Sequence, residues 1–295
     1  MFRDDLLKGK RILVTGGGTG LGRVMTEKYA RLGAEVVIWG RRSGVLAETA
    51  EEIMREHGGK VIPMACDIRN ADEIAARVDE IWSGGPLDGL VNNAAGNFIS
   101  PTKDLSANAF NAIASIVFHG TFNTTNTVGK KWLEEGRKGS IISILVTWVW
   151  TGSPFVVPSA MSKSGINAMT KSLAVEWGPH RIRLNAIAPG PFPTKGAWER
   201  LNPQSGSKGG DAANDYSQSI PMGRVGEMSE LANLAAFLMA DGCEYLTGQT
   251  IAIDGAQWMM GGGTFSRLLQ LTDEQWAAIR ETIKSTNAKD KAARG

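Results

Sequence analysis

Cysteine is nearly absent: Cys66 and Cys243 are the only two in 295 residues, and they stand far apart. That density excludes a disulfide framework and a cysteine-ligated zinc site, and it fits a reducing compartment, so a cytoplasmic protein is expected. Runs of one charge are also missing. The net charge is +2 and no block of five or more Lys or Arg occurs, so bulk electrostatics give no footprint for nucleic acid or an anionic membrane, and neither is expected as a partner. Long apolar runs are lacking as well. The longest, Ile141 to Trp150, is broken by Ser143 and Thr147 and falls far short of the ~20 residues that span a bilayer. A strand-like segment already begins at about Arg11, so no signal peptide or Arg-rich transit segment is expected ahead of it.

Hydrophobic residues make up 42% and charged residues 21%, which is enough apolar material for a full core. Length permits two domains of ~150 residues, but α/β folds of this size commonly close around one sheet. A single domain over 1–295 is expected. Val- and Ile-rich runs at Arg11–Val14, Glu35–Trp39, Lys60–Cys66, Gly89–Asn92, Ser140–Val146, Arg183–Ala188 and Thr250–Ile253 predict seven strands. Between them lie amphipathic stretches with helical spacing, such as Leu21, Met25, Tyr29 and Leu32. Continuous apolar strands imply burial on both faces, hence a doubly wound parallel sheet with helices on both sides. Thr272 and Gln275 resemble a capping box that opens a last helix through about Lys284, and a frayed tail is expected over 287–295. The Gly- and Ser-rich stretch around Asn202–Ser219 has few apolar residues, and a substrate loop is expected over 196–222.

The first strand runs into Thr15, Gly16, Gly17, Gly18, Thr19, Gly20, Leu21 and Gly22, and then into a helix. Strand, glycine turn and helix in that order let backbone N–H groups and a helix N-terminus approach a pyrophosphate. After the second strand, where an NAD site would carry an acid for the ribose 2′-hydroxyl, stand Arg41 and Arg42. Guanidinium groups fork onto phosphate oxygens, so the pair favours a 2′-phosphate and NADPH, the plainer alternative being solvated loop charges. Asp67 is placed either to accept from an adenine amino group or to cap the helix that starts near Asn70.

Asn92, Asn93, Ala94, Ala95 and Gly96 after a fourth strand, with the glycine turn and Lys163 on a later helix, resemble the short-chain dehydrogenase/reductase family, a single-domain Rossmann fold. The likeness covers essentially the whole chain. The stretches NNAAGNFISPT (92–102), FVVPS (155–159) and PGPFPTKGAWER (189–200) are similar to those of the mitochondrial-type 2,4-dienoyl-CoA reductases. The resemblance implies that Asn92 and Ala94 line the adenosine side of the cofactor, that Lys163 binds the nicotinamide ribose, and that Pro189, Gly190, Pro191 and Phe192 contact the nicotinamide. It also implies that Arg69 and Arg200 hold the CoA of an acyl-CoA substrate, and that the protein is a homotetramer burying the helices around 106–134 and 158–177. Taken residue by residue, Asn pairs also stabilise turns, a helical Lys is commonly solvated, and an Arg is commonly a surface charge. The small neighbours of Lys163 (Ser159, Ala160, Ser162, Ser164, Gly165, Ala168) suit a helix passing close to a ligand.

One departure bears on the chemistry. The family's usual Tyr, four residues before the Lys, is Ser159 here, and the usual Ser is Val146. The dienoyl-CoA reductases use a different Tyr, whose place is Trp148, and the associated Asn falls at His119. Ketone reduction makes an alkoxide that must be protonated, which an indole N–H cannot do at neutral pH. Reduction of a conjugated dienoyl thioester leaves charge on the thioester oxygen, where hydrogen-bond donors suffice. The expectation is therefore C=C reduction, with His119 and Trp148 as the oxyanion donors and Ser159 and Lys163 beside the nicotinamide. His119 has a claim because a buried imidazole needs a partner, whereas Trp148 and Trp150 could merely line an acyl pocket. A 3-oxoacyl carbonyl reductase and a non-catalytic NADP(H)- and acyl-CoA-binding partner are the competing readings.

Overall fold

The computed structural model describes residues 1–194, 217, 219–261, 268 and 271–292. β1 (Arg11–Thr15), β2 (Glu35–Gly40), β3 (Lys60–Ala65), β4 (Gly89–Asn92), β5 (Gly139–Ile144), β6 (Ile182–Pro189) and β7 (Thr250–Ile253) are all parallel, in the order β3-β2-β1-β4-β5-β6-β7. Every expected strand forms, with ends displaced by no more than about two residues, within the usual fuzziness of strand ends. Strand order reverses between β1 and β4, and the crevice beyond the C-terminal ends of strands at such a switch point is where doubly wound sheets take their ligands.

The strand side chains alternate between two cores. Ile12, Val14, Val36, Ile38, Val91 and Ile142 point to one, packed under α1 (Gly20–Arg31), α2 (Ser43–His57) and α8 (Met228–Met239). Leu13, Val37, Trp39, Leu90, Ile141 and Leu184 point to the other, under α3 (Ala71–Ser83), α5 (Thr121–Glu134) and α7 (Val157–Glu176). Each fully buried Ile, Leu or Val contributes roughly 1.5–3 kcal/mol, and a polar group buried among them is costly unless it finds a hydrogen-bond partner. The buried Trp132 indole meets that demand by donating to the Leu87 carbonyl at 2.6 Å.

Two compact units divide the chain, Met1–Trp258 and Met259–Gly295, and the whole sheet lies in the first. In the second, Thr272 and Gln275 form the expected capping box: Gln275 N–H donates to Thr272 Oγ1 at 3.3 Å, and Thr272 N–H donates to Gln275 Oε1 at 2.9 Å. The helix it opens, α9 (Asp273–Ala292), overruns the expected end at Lys284 and takes in most of the tail expected to fray. Alanines and lysines are good helix formers, and they let the last turns continue without an apolar stripe. Among the described residues no helix is long and apolar enough to cross a membrane.

Candidate active site

The glycine turn after β1 is held by its own geometry and by a residue absent from the cofactor set expected above. Gly16 has φ +68°, and a Cβ there would meet the Ala94 backbone at 3.0 Å. A Cβ on Gly22 would lie 2.2 Å from the Gly16 carbonyl oxygen, and one on Gly17 would lie 2.5 Å from Ile38. Asn93 braces this turn, its amide donating to the carbonyls of Thr15 at 3.0 Å and Gly16 at 3.3 Å. The buried Thr15 hydroxyl accepts from Asn93 N–H at 3.0 Å and Ala94 N–H at 3.1 Å, so Thr15 positions the turn rather than offering its hydroxyl to a ligand. The Asn92 side chain likewise turns inward, donating to Thr125 Oγ1 at 2.8 Å. Ala94 packs partly buried against the second core.

Helix α1 begins without a side-chain cap: Thr19 makes no capping hydrogen bond, and the first turn carries no acid. Free N–H groups at the end of a helix, beside a cradle that any Cβ would fill, suit a pyrophosphate. Gly20 approaches Thr194, with 3.6 Å from its would-be Cβ to Cγ2, so the segment after β6 reaches over the turn. Sequence reasoning overlooked Thr194, a hydroxyl two residues beyond Phe192 in the stretch already under suspicion. Leu21 packs against the first core.

At the end of β2, Arg41 and Arg42 are both exposed, and neither guanidinium makes a hydrogen bond among the described residues. Asp67 caps no helix. That role belongs to Asn70, whose Oδ1 accepts from Asp72 N–H at 3.0 Å and Glu73 N–H at 3.2 Å. Instead Asp67 pairs with Arg69, whose Nε lies 2.9 Å from each carboxylate oxygen. The Arg69 guanidinium holds the Asp67 carboxyl below its usual range, and the positive charge of Arg41 adds to the effect. The two residues assigned to different ligands are therefore joined in one exposed cluster. Arg200 and most of the 196–222 loop lie outside the described residues.

On α7, Ser159 and Lys163 fall one turn apart on the buried face. Lys163 Nζ donates to the Leu145 carbonyl at 3.0 Å, just past β5, and burial pulls its pKa down to about 8. The small residues around Lys163 serve two faces rather than one. Ser159 and Ser162 are buried, whereas Ala168 is exposed, and Gly165 admits the ring of Phe118, which would lie 2.5 Å from a Cβ.

Trp148 opens α6 (Trp148–Thr151), a single turn after β5. The indole is partly exposed, and its N–H donates to nothing among the described residues. His119 departs from the expected burial. It lies in a π-helical stretch, Ser115–Gly120, between α4 (Ala107–Ala114) and α5, and it is exposed. The wider π turn carries Phe118 and His119 outward together, their rings edge to face with centroids 5.4 Å apart. An exposed imidazole can satisfy itself in water, so the argument from burial fails for His119.

Asn97 was missed by sequence reasoning. Its Oδ1 accepts from Phe98 N–H at 2.9 Å, which leaves its amide N–H groups without a partner among the described residues. Phe98 packs in the small cluster that contains Leu145, the residue whose carbonyl holds Lys163. A polar residue just past the NNAAG run, at the C-terminal end of a central strand, was the available signal.

Pro189 ends β6, and Gly190 N–H donates to the Ile253 carbonyl at 3.0 Å. Pro191 accepts from Gly226 N–H at 3.0 Å, and Phe192 is buried with its ring against Gly226. At the opposite, N-terminal edge of the sheet a cavity of about 140 Å³ is lined by Lys10, Lys138, Arg181, Asp241 and Glu244. These residues pair with one another, as Lys10 does with Asp241 at 2.8 Å and Arg181 with Glu244 at 3.0 Å, so each is already engaged within the cluster. Both cysteines are buried, and burial pushes the Cys66 thiol up to about 12, which leaves it inert as a nucleophile.

A glycine cradle at an uncapped helix end, a buried lysine and unpaired N–H donors at one edge of a parallel sheet define a nucleotide-dependent oxidoreductase site. The family model described as Enoyl-(Acyl carrier protein) reductase matches residues 16–256. A Caenorhabditis elegans protein named probable 2,4-dienoyl-CoA reductase 3, (3E)-enoyl-CoA-producing, is 43% identical over 295 residues, 99% of this chain and 94% of its own length. A Bacillus subtilis (strain 168) protein named probable 2,4-dienoyl-CoA reductase, (2E)-enoyl-CoA-producing, is 38% identical over 255 residues, 86% of this chain and 98% of that one. The solved structure of a short chain dehydrogenase from Bacillus anthracis has a TM-score of 0.75 and 41% identity, covering 84% of this chain and 96% of that one. The chain belongs to the short-chain dehydrogenase/reductase family, whose fold binds a nicotinamide cofactor.

Proposed function

We propose that the protein reduces a C=C bond of an unsaturated acyl-CoA with NADPH, in the manner of a 2,4-dienoyl-CoA reductase. One observation carries the reading: Ser159 stands where the family's proton-donating Tyr would, on a helix against which the Trp148 turn packs, so that phenol is replaced and the Trp148 N–H is the donor offered instead. NADPH supplies the hydride when bound. The chain's part is to hold the thioester oxygen as negative charge develops there, and a single oriented donor in a dry site is typically worth ~10²–10³ in rate. Trp148 N–H is the first candidate, the Asn97 amide the second and His119 the third. Lys163 and Ser159 orient the nicotinamide ribose, and the cradle from Gly16 to Gly22 with Thr194 takes the pyrophosphate. Arg41 and Arg42, exposed where an acid would select NAD, favour the 2′-phosphate. Arg69 and Arg200 take the CoA end, which for Arg69 means sharing or leaving Asp67. The two buried free cysteines suit a reducing, cytoplasmic setting.

The test mixes the protein with NADPH and trans,trans-2,4-decadienoyl-CoA and follows both absorbances, with NADH and a 3-oxoacyl thioester in parallel. Consumption with the dienoyl thioester and a preference for NADPH are expected. Trp148→Phe should cost ~10²-fold in kcat, and Asn97→Ala or His119→Ala should mark the second donor. Turnover of the 3-oxoacyl thioester alone would overturn the reading in favour of a carbonyl reductase. Binding of NADPH and acyl-CoA with no turnover of either substrate would point to a non-catalytic partner.

A further inference from the structure

We infer that Trp150 and Trp258 form the far wall of the acyl site and set the longest acyl chain the enzyme accepts; this rests on the acyl-CoA reading above. The two indoles stack with centroids 4.7 Å apart and planes 30° from parallel. They come from distant parts of the chain. Trp150 closes the turn after β5, its backbone N–H donating to the Thr147 carbonyl at 3.2 Å, and Trp258 follows β7. Strands β5 and β7 flank β6, so the stack stands at the edge of the sheet where Lys163 and Pro189 lie.

The segment that carries Trp258 is built at a cost. Gly255 and Ala256 both have positive φ, +61° and +69°, and a non-glycine residue held there is strained. Asp254 holds the reversal, its carboxylate accepting from Ala256 N–H at 3.0 Å and Trp258 N–H at 2.8 Å. Asp254 also packs directly on Gly190, where a Cβ would come within 2.6 Å, which ties the indole to the Pro189–Phe192 segment. The indole Nε1–H of Trp258, unlike its backbone N–H, is buried with no partner among the described residues, a second unfavourable feature at the same residue. Strain and an unpaired donor persist where the surrounding structure over-determines a residue, and such places cluster at ligand sites.

Trp150 stays 37% exposed, so the stack presents a wide indole surface to whatever enters. It begins two residues beyond Trp148, the first candidate for the thioester oxygen. An acyl group that reaches from that donor toward the nicotinamide therefore meets the stack with its apolar tail. A pair of rings fixed from two loops makes a wall rather than a hinged side chain, so short and medium acyl chains pack against it and long ones are refused.

The experiment compares kcat/KM for 2,4-hexadienoyl-, 2,4-decadienoyl- and 2,4-tetradecadienoyl-CoA in the wild type, Trp150→Ala, Trp258→Ala and Trp258→Phe, with melting temperature and NADPH affinity as controls of folding. Calorimetric binding of saturated acyl-CoAs of the same lengths runs alongside. Each methylene newly buried is worth up to ~4-fold, so the alanine variants should shift the long-over-medium ratio by at least about tenfold, in turnover and in binding, and Trp258→Phe should fall between. An unchanged ratio in folded variants overturns the wall. If the wild type reduces no dienoyl thioester, the functional reading fails by itself, and the binding series still decides whether the stack limits an acyl chain.

Discussion

Lys163 is a cation in a place that disfavours cations. Its pKa drops from 10.5 to about 8 because burial strips water from the ammonium, while a single carbonyl, that of Leu145, partly replaces it. In the unfolded chain the same lysine holds its proton to ~10.4. Between pH 8 and that value the unfolded state binds more protons than the folded one, so stability rises with pH across the window and is flat below it. Below pH 8 the buried charge thus costs on the order of 3 kcal/mol. Lys163→Met should melt higher than the wild type at pH 7, with the advantage shrinking by pH 10, and it should bind NADPH at least tenfold more weakly. Melting curves at both pH values decide it: a difference that does not change with pH would mean the lysine is not charged and buried together. The sequence singled out Lys163 by the small residues around it and by its resemblance to the family pattern. Its lowered pKa could not be read there, since that comes from burial, which only the folded packing supplies.

The glycine turn and its helix were legible as an element because strand, glycines and helix appear consecutively. Their brace was not: Asn93 acts through side-chain contacts to Thr15 and Gly16 across two parallel strands, a register that periodicity does not reveal. The π turn at Ser115–Gly120 was hidden for a similar reason, since the same residues read as plain helix and only the folded backbone shows the widened turn. Two glycine-to-alanine changes separate glycines that shape the site from those that do not. At Gly22 a methyl group would sit 2.2 Å from the Gly16 carbonyl oxygen, a backbone atom that cannot give way. Gly22→Ala should therefore cost about 1–3 kcal/mol and lower NADPH affinity more than tenfold. At Gly44, in the first turn of α2, nothing lies within 4 Å, and Gly44→Ala should stabilise by about 0.5–1 kcal/mol. Thermal melts and an NADPH titration check both signs, and a stable, fully binding Gly22→Ala would show that the turn is not the cofactor cradle.

At the scale of the whole molecule, the outer face of α7 is what the isolated chain leaves unexplained. Met161, Gly165, Ala168, Ser172 and Val175 recur at spacings of four and three, the seam of a helix meeting a helix. Met161 is 57% and Val175 80% exposed, and on the neighbouring segment Phe118 and Phe122 are 40% and 49% exposed. Single exposed apolar residues are ordinary, but a stripe on two adjoining helices marks a contact surface. A homotetramer that buries these helices is the reading proposed for it, with copies of this chain as the partner, because a self-complementary stripe closes by a twofold axis without needing a second kind of surface. The double change Phe122→Glu with Val175→Glu places like charges on both sides of such an axis. It should reduce the sedimentation mass below that of a tetramer while leaving the buried cores, and so the far-ultraviolet dichroism, unchanged. A wild type that sediments as a monomer would remove the tetramer, and a variant that stays tetrameric would move the interface elsewhere. Lys163 and Ser159 sit on the opposite face of the same helix, so a contact along the outer stripe would stiffen the element that carries both. Loss of assembly should then raise the KM for NADPH before it lowers kcat.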